Sequence, residues 1–322
     1  NILVVTIHHI ATDGWSTSVI ITELALIYNA ISGNQKVLLP AMAIQYADYA
    51  IWQRKYFTDE ILKTKSDYWK QKLSGVKPIQ LPLDFQRPVI QSNKGSVLEF
   101  ELTKECYDKL QHLSHKQHVT LFMTMFSAFN VLLSKYSGQS DICVGTPVAG
   151  RQHAETEDLI GFFVNTLTIR TEVNTESNFI SFLEQVKLNT LKAFEHQDMP
   201  FEKVVEAVVK ERDLSRSPLF QVMLVLLNTP EKDTLKFGKA EVIAEPFLNR
   251  IAKFDLTYHV IEIPEGLNVF VEYSTDLFKE STIRRMTEHF TNLLISITDN
   301  SLQKVGSLSL LGKGETEQIS KI

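Results

Sequence analysis

The sequence predicts a mixed α/β fold built in layers, and three observations lead to that prediction. The 322-residue chain is 44% hydrophobic and 22% charged, a composition typical of globular proteins and too apolar for intrinsic disorder. Its length fits roughly two domains of about 150 residues each, or one large α/β unit. Strand-type and helix-type segments intermingle without a strict strand–helix–strand rhythm, which favours a mixed layered sheet over a purely parallel one.

Charge, hydropathy and cysteine content exclude several function classes. The net charge is −5 and no long basic run occurs, so we expect no nucleic-acid partner. The longest apolar run, residues 219–227, is too short for a membrane span, and we expect no membrane partner. Cys106 and Cys143 are too few for a disulfide framework or a four-cysteine zinc site. No secretory signal opens the sequence, and a cytoplasmic location is predicted.

The first 74 residues predict one strand followed by helices. Residues 2–7 are continuously apolar or β-branched and predict a buried strand. A helix then begins near Trp15–Thr17, capped by Asp13 or Ser16, and ends at Gly33. Two more helical patterns cover about 46–56 and 59–73. Since a lone strand needs partners for its backbone groups, we expect this chain to be a piece of something larger.

Residues 74–95 are irregular and rich in proline and glycine, and they are the best candidate for a domain boundary. Beyond it, alternating or apolar runs predict strands at 97–102, 142–148, 162–173, 219–227, 254–263 and 267–274. Helical stripes and caps predict a helix from Thr103, a second at about 120–136, a third at about 178–195, and others from 199 and 281 onward. Gly138 is the expected stop of the second of these helices.

The pattern H-H-x-x-x-D-G, formed by His8, His9, Asp13 and Gly14, lies at the predicted strand-to-helix turn, where functional residues are common. Adjacent strand residues point to opposite faces, so one histidine would face a site, and a metal shared by both is disfavoured. Asp13 could accept backbone N–H groups or pair with an arginine, and Gly14 permits unusual backbone angles. A core histidine beside a helix cap is the competing interpretation.

Other candidates give weaker signals. Three histidines recur every third residue at His112, His115 and His118, so they spread around the helix instead of sharing one face. No carboxylate or cysteine completes a set of metal ligands, and we expect these histidines to be solvated. Nucleophile elbow, phosphate-binding and dinucleotide-binding motifs are absent from the sequence, so an enzyme here would use histidine without a covalent intermediate. A lone arginine, Arg151, ends the segment 145–151, and 161–166 follows soon after. A tight turn and a packed strand explain these two segments equally well.

Together, the segments resemble the condensation domain of nonribosomal peptide synthetases. Six blocks are similar to the family in its own order: 5–16, 43–53, 81–88, 144–151 with 159–166, 196–202 and 212–221. The resemblance covers essentially the whole chain. It implies two chloramphenicol acetyltransferase-like lobes with an active-site tunnel between them, the first lobe being incomplete here. On this basis residues 1–74 are the remainder of the N-terminal lobe, 75–95 the inter-lobe linker, 96–305 the C-terminal lobe, and 306–322 the start of a linker to an adenylation domain.

The resemblance implies amide formation, in which the amine of an acceptor aminoacyl thioester attacks a donor acyl or peptidyl thioester. His9 would be the catalytic histidine within the motif that also contains His8, Asp13 and Gly14. Further implied residues are an ion pair between Asp13 and Arg151, and tunnel-lining side chains of Trp15, Ser16 and Asn228.

The same resemblance implies partners rather than cofactors. The domain itself would bind no cofactor and no metal, since its substrates ride on phosphopantetheine arms of upstream and downstream carrier domains next to an adenylation domain. The incomplete chain alone is expected to be inactive. Three rival functions remain open: an epimerization domain, a non-catalytic docking relative, and an acyltransferase that uses coenzyme A.

Overall fold

A computed structural model describes residues 2–227, 237–238, 240 and 250–319, and one six-stranded sheet organises this part of the chain. The strands are β1 (Gly95–Thr103), β2 (Asp141–Val148), β3 (Asn165–Glu172), β4 (Val222–Leu227), β5 (Leu256–Ile263) and β6 (Gly266–Ser274). Their order across the sheet is β1-β6-β5-β4-β2-β3. The pairs β2–β4 and β4–β5 are parallel and the other neighbours are antiparallel. The predicted mixed α/β fold is therefore confirmed.

The helices of the described residues include a layer that packs on this sheet and three helices that precede β1 in the chain. They are α1 (Gly14–Ser32), α2 (Tyr46–Tyr56), α3 (Asp59–Leu73), α4 (Lys104–Lys116), α5 (Leu121–Ser137), α6 (Phe179–Phe194), α7 (Phe201–Val208), α8 (Glu280–Asp299) and α9 (Lys313–Ile319). Helices α4, α5, α6 and α8 pack against the strands and against one another. Helix α3 joins the same hydrophobic core through Trp69 and Leu73, whereas α1 and α2 contribute no residue to it.

Local sequence signals explain where the core helices begin and end. The side chains of Thr103, Thr120 and Asn178 each accept a hydrogen bond from a first-turn amide, so that α4, α5 and α6 are capped. Gly138 ends α5 in the left-handed conformation, with φ +69°. Between these caps α5 is buried along most of its length, which makes it the central helix of the core.

The irregular segment between α3 and β1 is fastened to the sheet by polar contacts. Arg87 forms two hydrogen bonds with Asp255, one of them Nη1 to Oδ1 at 2.9 Å, and also donates to the carbonyl oxygen of Ser215. Asp84 accepts hydrogen bonds from the amide of Lys279 at 2.9 Å and the hydroxyl of Thr282 at 3.0 Å, at the start of α8. The segment is thus irregular in its backbone but fixed in its position.

The predicted strand at residues 2–7 is not present. These residues have no regular secondary structure and pair with no described strand, and Ile2, Val4 and Val5 are 86%, 79% and 61% exposed. The sheet has its two edges at β1 and β3, and neither edge is bonded to this segment. The apolar pattern is typical of a strand, but a strand forms only where a neighbour supplies hydrogen-bond partners.

Two strands begin three residues later than predicted, and one helix was not predicted. Strand β3 begins at Asn165 rather than at 162, because the backbone groups before it are bonded to side chains elsewhere. Strand β4 begins at Val222 rather than at 219, because the backbone turns at Leu219, where φ is +67°. Helix α9 was not predicted and lies within 306–322.

The described residues contain no helix that by itself is long and apolar enough to cross a bilayer. Helices α4 and α5 would reach that length and hydropathy only as a pair, and they are bent by 107°. No three His, Cys, Asp or Glu side chains in the described ranges are arranged to share a metal ion. His112, His115 and His118 are all exposed, which confirms the prediction that they are solvated.

The Arg87–Asp255 pair yields a stability prediction. Arg87→Met should lower the free energy of unfolding by about 3 kcal/mol, because it leaves the carboxylate of Asp255 buried without its cation. The matched control is Lys63→Met in the exposed Lys63–Asp67 pair, where no measurable change in the free energy of unfolding is expected. Urea unfolding of the two variants measures both; equal losses would show that the Arg87 pair does not fasten the segment.

Candidate active site

The two histidines of the H-H-x-x-x-D-G pattern lie in a turn that leads into α1. His9, Ile10 and Ala11 form one turn of 3₁₀-helix, and the Nδ1 atom of His8 accepts a hydrogen bond from the amide of Ile10 at 3.1 Å. Both histidines are exposed. The turn gives the two rings different surroundings, so the predicted alternation of His8 and His9 across a strand does not apply here.

His9 is oriented by a short hydrogen bond. Its Nδ1 atom lies 2.6 Å from the carbonyl oxygen of Thr12. Because a carbonyl oxygen can only accept, Nδ1 carries the proton in this contact. In a neutral ring this leaves the lone pair on Nε2, which can then accept a proton or a hydrogen bond.

Asp13 is the most highly bonded residue of the motif. Its Oδ1 atom accepts from the amide of Ser16 at 2.8 Å, which caps α1, and from Arg151 Nη2 at 3.2 Å. Its Oδ2 atom accepts from the amides of Phe163 at 2.9 Å and Val164 at 3.2 Å. Burial alone would raise the pKa of Asp13, but the Ser16 and Phe163 amides, with Arg151, hold that pKa below its ordinary value. The carboxylate therefore stays ionised and is fully occupied.

Arg151 is the cation that faces Asp13, and both side chains are almost fully buried, at 1% and 2% exposure. Its Nη2 atom also donates to Ser16 Oγ at 2.8 Å, and its Nη1 atom donates to the carbonyl oxygens of Thr156 and Leu159. The guanidinium carbon lies 4.2 Å from the centre of the Phe163 ring. Arg151 thus joins α1 to the loop that follows β2.

The residues expected to line a tunnel have different environments. Ser16 is fully buried, and its hydroxyl donates to the carbonyl oxygen of Gly161 and accepts from the amide of the same residue, so it belongs to the packed network rather than to an open wall. Trp15 is 45% exposed, and its indole N–H donates to the carbonyl oxygen of Glu157 at 2.8 Å. Asn228 lies outside the described residues.

The expectation for Gly14 is corrected by the structure. Gly14 is the first residue of α1 and does not have a positive φ, so no unusual backbone angle requires a glycine there. A Cβ at this position would meet no atom within 4 Å. The open space beside the histidine turn is what the glycine contributes in this structure.

The role of residues 161–164 was not predicted from the sequence, and their backbone is held by side chains from the first 74 residues. Ser16 bonds Gly161, the Tyr46 hydroxyl donates to the carbonyl oxygen of Phe162 at 2.9 Å, and Asp13 accepts from the next two amides. Gly161 is needed because a Cβ there would overlap the Tyr46 ring. The aromatic spacing of α2 was visible in the sequence, but its partner was not.

A glycine with a positive φ lies directly against residues 161–164. Gly150 has φ +67°, and a Cβ on it would overlap the carbonyl oxygen of Phe163. Only glycine therefore allows the chain after β2 to pass so close to residues 161–164.

The lowered pKa of Asp13 predicts that the free energy of unfolding depends on pH. Because its pKa is lowered in the folded state, its contribution is complete above the ordinary value of 3.8 and is lost as pH falls through the lower folded pKa. Asp13→Asn places an amide N–H₂ among the four donors and should cost about 3 kcal/mol at pH 6. The difference in free energy of unfolding between wild type and Asp13→Asn should decrease toward pH 3. Guanidinium unfolding curves recorded at several pH values measure it.

Asp158→Asn is the control for that variant, since Asp158 is an exposed residue of the nearby loop and its substitution should leave the curves unchanged. A gap between wild type and Asp13→Asn that is constant with pH would contradict the assignment of an ionised, stabilising carboxylate.

Alanine substitutions at two glycines with nearly the same φ distinguish the cost of backbone strain from the cost of steric overlap. Gly138→Ala should cost about 1 kcal/mol, because φ is +69° but nothing lies within 4 Å of the new Cβ. Gly150→Ala carries the same strain plus the overlap with Phe163, and should cost at least about 3 kcal/mol. Thermal unfolding measures both variants; equal costs would show that residues 161–164 can move away.

Comparisons with known proteins agree with one another. The family model described as Condensation domain matches residues 1–320. A linear gramicidin synthase of Brevibacillus parabrevis is 44% identical over 320 residues, which is 99% of this chain and 4% of that relative. The X-domain from teicoplanin biosynthesis has a similar fold, with a TM-score of 0.82 at 24% identity, over 95% of this chain and 71% of that one.

A four-domain nonribosomal peptide synthetase, holo-AB3403, gives the same TM-score of 0.82 at 25% identity, over 96% of this chain and 24% of that chain. This chain therefore spans only a small part of the synthetases that it is similar to.

Proposed function

This chain belongs to the condensation-domain family of nonribosomal peptide synthetases and has the chloramphenicol acetyltransferase-like fold, and we propose that it forms amide bonds between carrier-bound substrates. The observation that carries the proposal is the exposed His9 ring, whose Nδ1 atom is held by Thr12 and whose Nε2 atom is left for substrate. The donor is an acyl or peptidyl thioester and the acceptor is the α-amine of an aminoacyl thioester.

The reaction exchanges a C–S bond for a C–N bond. The amine nitrogen attacks the thioester carbonyl carbon, the tetrahedral intermediate expels the thiolate, and one proton leaves the nitrogen. An α-amine has a pKa of about 7.7–8.0, so roughly 10–20% of it is unprotonated and nucleophilic at pH 7. His9 Nε2 can take the proton or orient the amine by accepting a hydrogen bond, and both roles need the same geometry.

Asp13 is assigned a structural role in this proposal. Both of its carboxylate oxygens are occupied by amides and by Arg151, and it is buried. A group in that state has no free lone pair directed at a substrate. The Asp13–Arg151 pair instead holds the turn that presents His9, and His8 supports the same turn through Ile10.

Partners and domain divisions follow from the family and are part of the proposal. Upstream and downstream carrier domains bring the substrates on phosphopantetheine arms, and an adenylation domain adjoins. Residues 1–74 are proposed as part of the N-terminal lobe, 75–95 as the linker, 96–305 as the C-terminal lobe and 306–322 as the start of the next linker. The contacts of Arg87 and Asp84 with the sheet and α8 support a fixed linker.

The test is His9→Ala in the natural polypeptide that contains this sequence. Its carrier domains are charged from the twenty standard amino acids, and carrier-bound products are followed by mass spectrometry. Loss of a general base or of an orienting group should slow dipeptide formation at least about 100-fold without changing the charging of the carriers.

His115→Ala is the matched control, since His115 is an exposed histidine on α4, outside the site, and the variant should keep the wild-type rate. Three results would overturn the proposal: normal dipeptide formation by the His9 variant, a wild-type product that differs from its substrate only in stereochemistry, and no carrier-bound product at all. The second would identify an epimerization domain and the third a docking relative.

A further inference from the structure

His9 has two contacts that together fix its ring. The hydrogen bond from Nδ1 to the carbonyl oxygen of Thr12 fixes one atom at 2.6 Å, but the ring can still tilt about that contact. The second contact is an aromatic one. The ring of Phe162 lies with its centroid 5.2 Å from that of His9 and its plane at 89° to it. A perpendicular ring at this distance is a favourable aromatic arrangement, and it restricts the remaining tilt.

Phe162 is itself held in place through its backbone. Its carbonyl oxygen accepts from Tyr46, the residue before it is bonded by Ser16, and the next two amides donate to Asp13. Four successive residues are thus anchored by side chains of the same network. The backbone from which the Phe162 ring extends is therefore fixed by the network that also caps α1, directly after the His9 turn.

Burial does not account for an aromatic residue at 162. Phe163 points into the network, where it is 5% exposed and stacks on Arg151, whereas Phe162 is 39% exposed. A phenylalanine with this exposure contributes little to the core, and the ring contact that Phe162 makes is with His9.

We propose that Phe162 is a positioning residue, whose ring holds the His9 imidazole in the plane that directs Nε2 toward the reacting amine. This inference rests on the proposed function and deepens it. It predicts that the network around Asp13 influences catalysis by a defined route: the network fixes residues 161–164, these fix the Phe162 ring, and that ring fixes His9.

The test compares Phe162→Leu with Phe162→Tyr in the natural polypeptide, using single-turnover amide formation. The two acceptor amino acids that wild-type protein transfers fastest serve as probes. Leucine keeps apolar bulk but removes the ring, and we expect a loss of about tenfold that is equal for both acceptors. Tyrosine keeps the ring and should stay within about twofold of wild type. Ile160→Ala, at 40% exposure, is the control and should keep the full rate.

A double variant separates positioning from general destabilisation. If Phe162 acts only through His9, Phe162→Leu should cause no further loss in the His9→Ala background. Thermal unfolding accompanies each variant, and Phe162→Met replaces the leucine variant if that one is unfolded. Independent losses in the double variant, or failure of tyrosine to restore the rate, would overturn the inference.

Losses that differ between the two acceptors would also overturn it, since the ring would then contact substrate. A full rate in His9→Ala alone would instead refute the assignment of His9 in the proposed function, so the two failures are distinguishable.

Discussion

The carboxylate of Asp13 connects parts of the chain that lie far apart in the sequence. It caps α1 through the amide of Ser16, neutralises Arg151, and accepts two successive amides from residues 161–164. Taking such a charge out of water is costly, and the cost is offset only because every oxygen has directed partners. With that carboxylate in place, the histidine turn on one side and the strand β3 on the other have fixed relative positions.

A second buried pair of the same type has a comparable role elsewhere. Arg87 and Asp255 fasten the irregular segment to the start of β5, much as Arg151 and Asp13 fasten the turn before α1. In both cases arginine forms several hydrogen bonds at once, including bonds to backbone carbonyl oxygens. A planar donor of this kind fixes orientation as well as distance, which a lysine would not do.

Much of the fold could be predicted because it depends on local patterns. The stripe of α5, its Thr120 cap and its Gly138 stop are all set within 20 residues of sequence. The predicted strand at 2–7 was wrong because strand formation depends on a neighbour, which no local pattern contains. For the site, the histidine motif and Arg151 were visible as candidates, whereas Phe162 was not. Its contact with His9 joins residues more than 150 positions apart, and apolar spacing alone assigned it to a packed strand.

That sequence separation has a consequence for how the site assembles. The hydrogen bond between Asp13 and Phe163 spans 150 residues. At ordinary synthesis rates the histidine turn leaves the ribosome roughly 8 to 30 seconds before the segment that holds it. Local helices form far faster than this, so α1 to α5, which precede residue 161, can form while the turn is still without its partners. We therefore expect the histidine turn to acquire its final geometry only once residues 161–164 are available to bind Asp13.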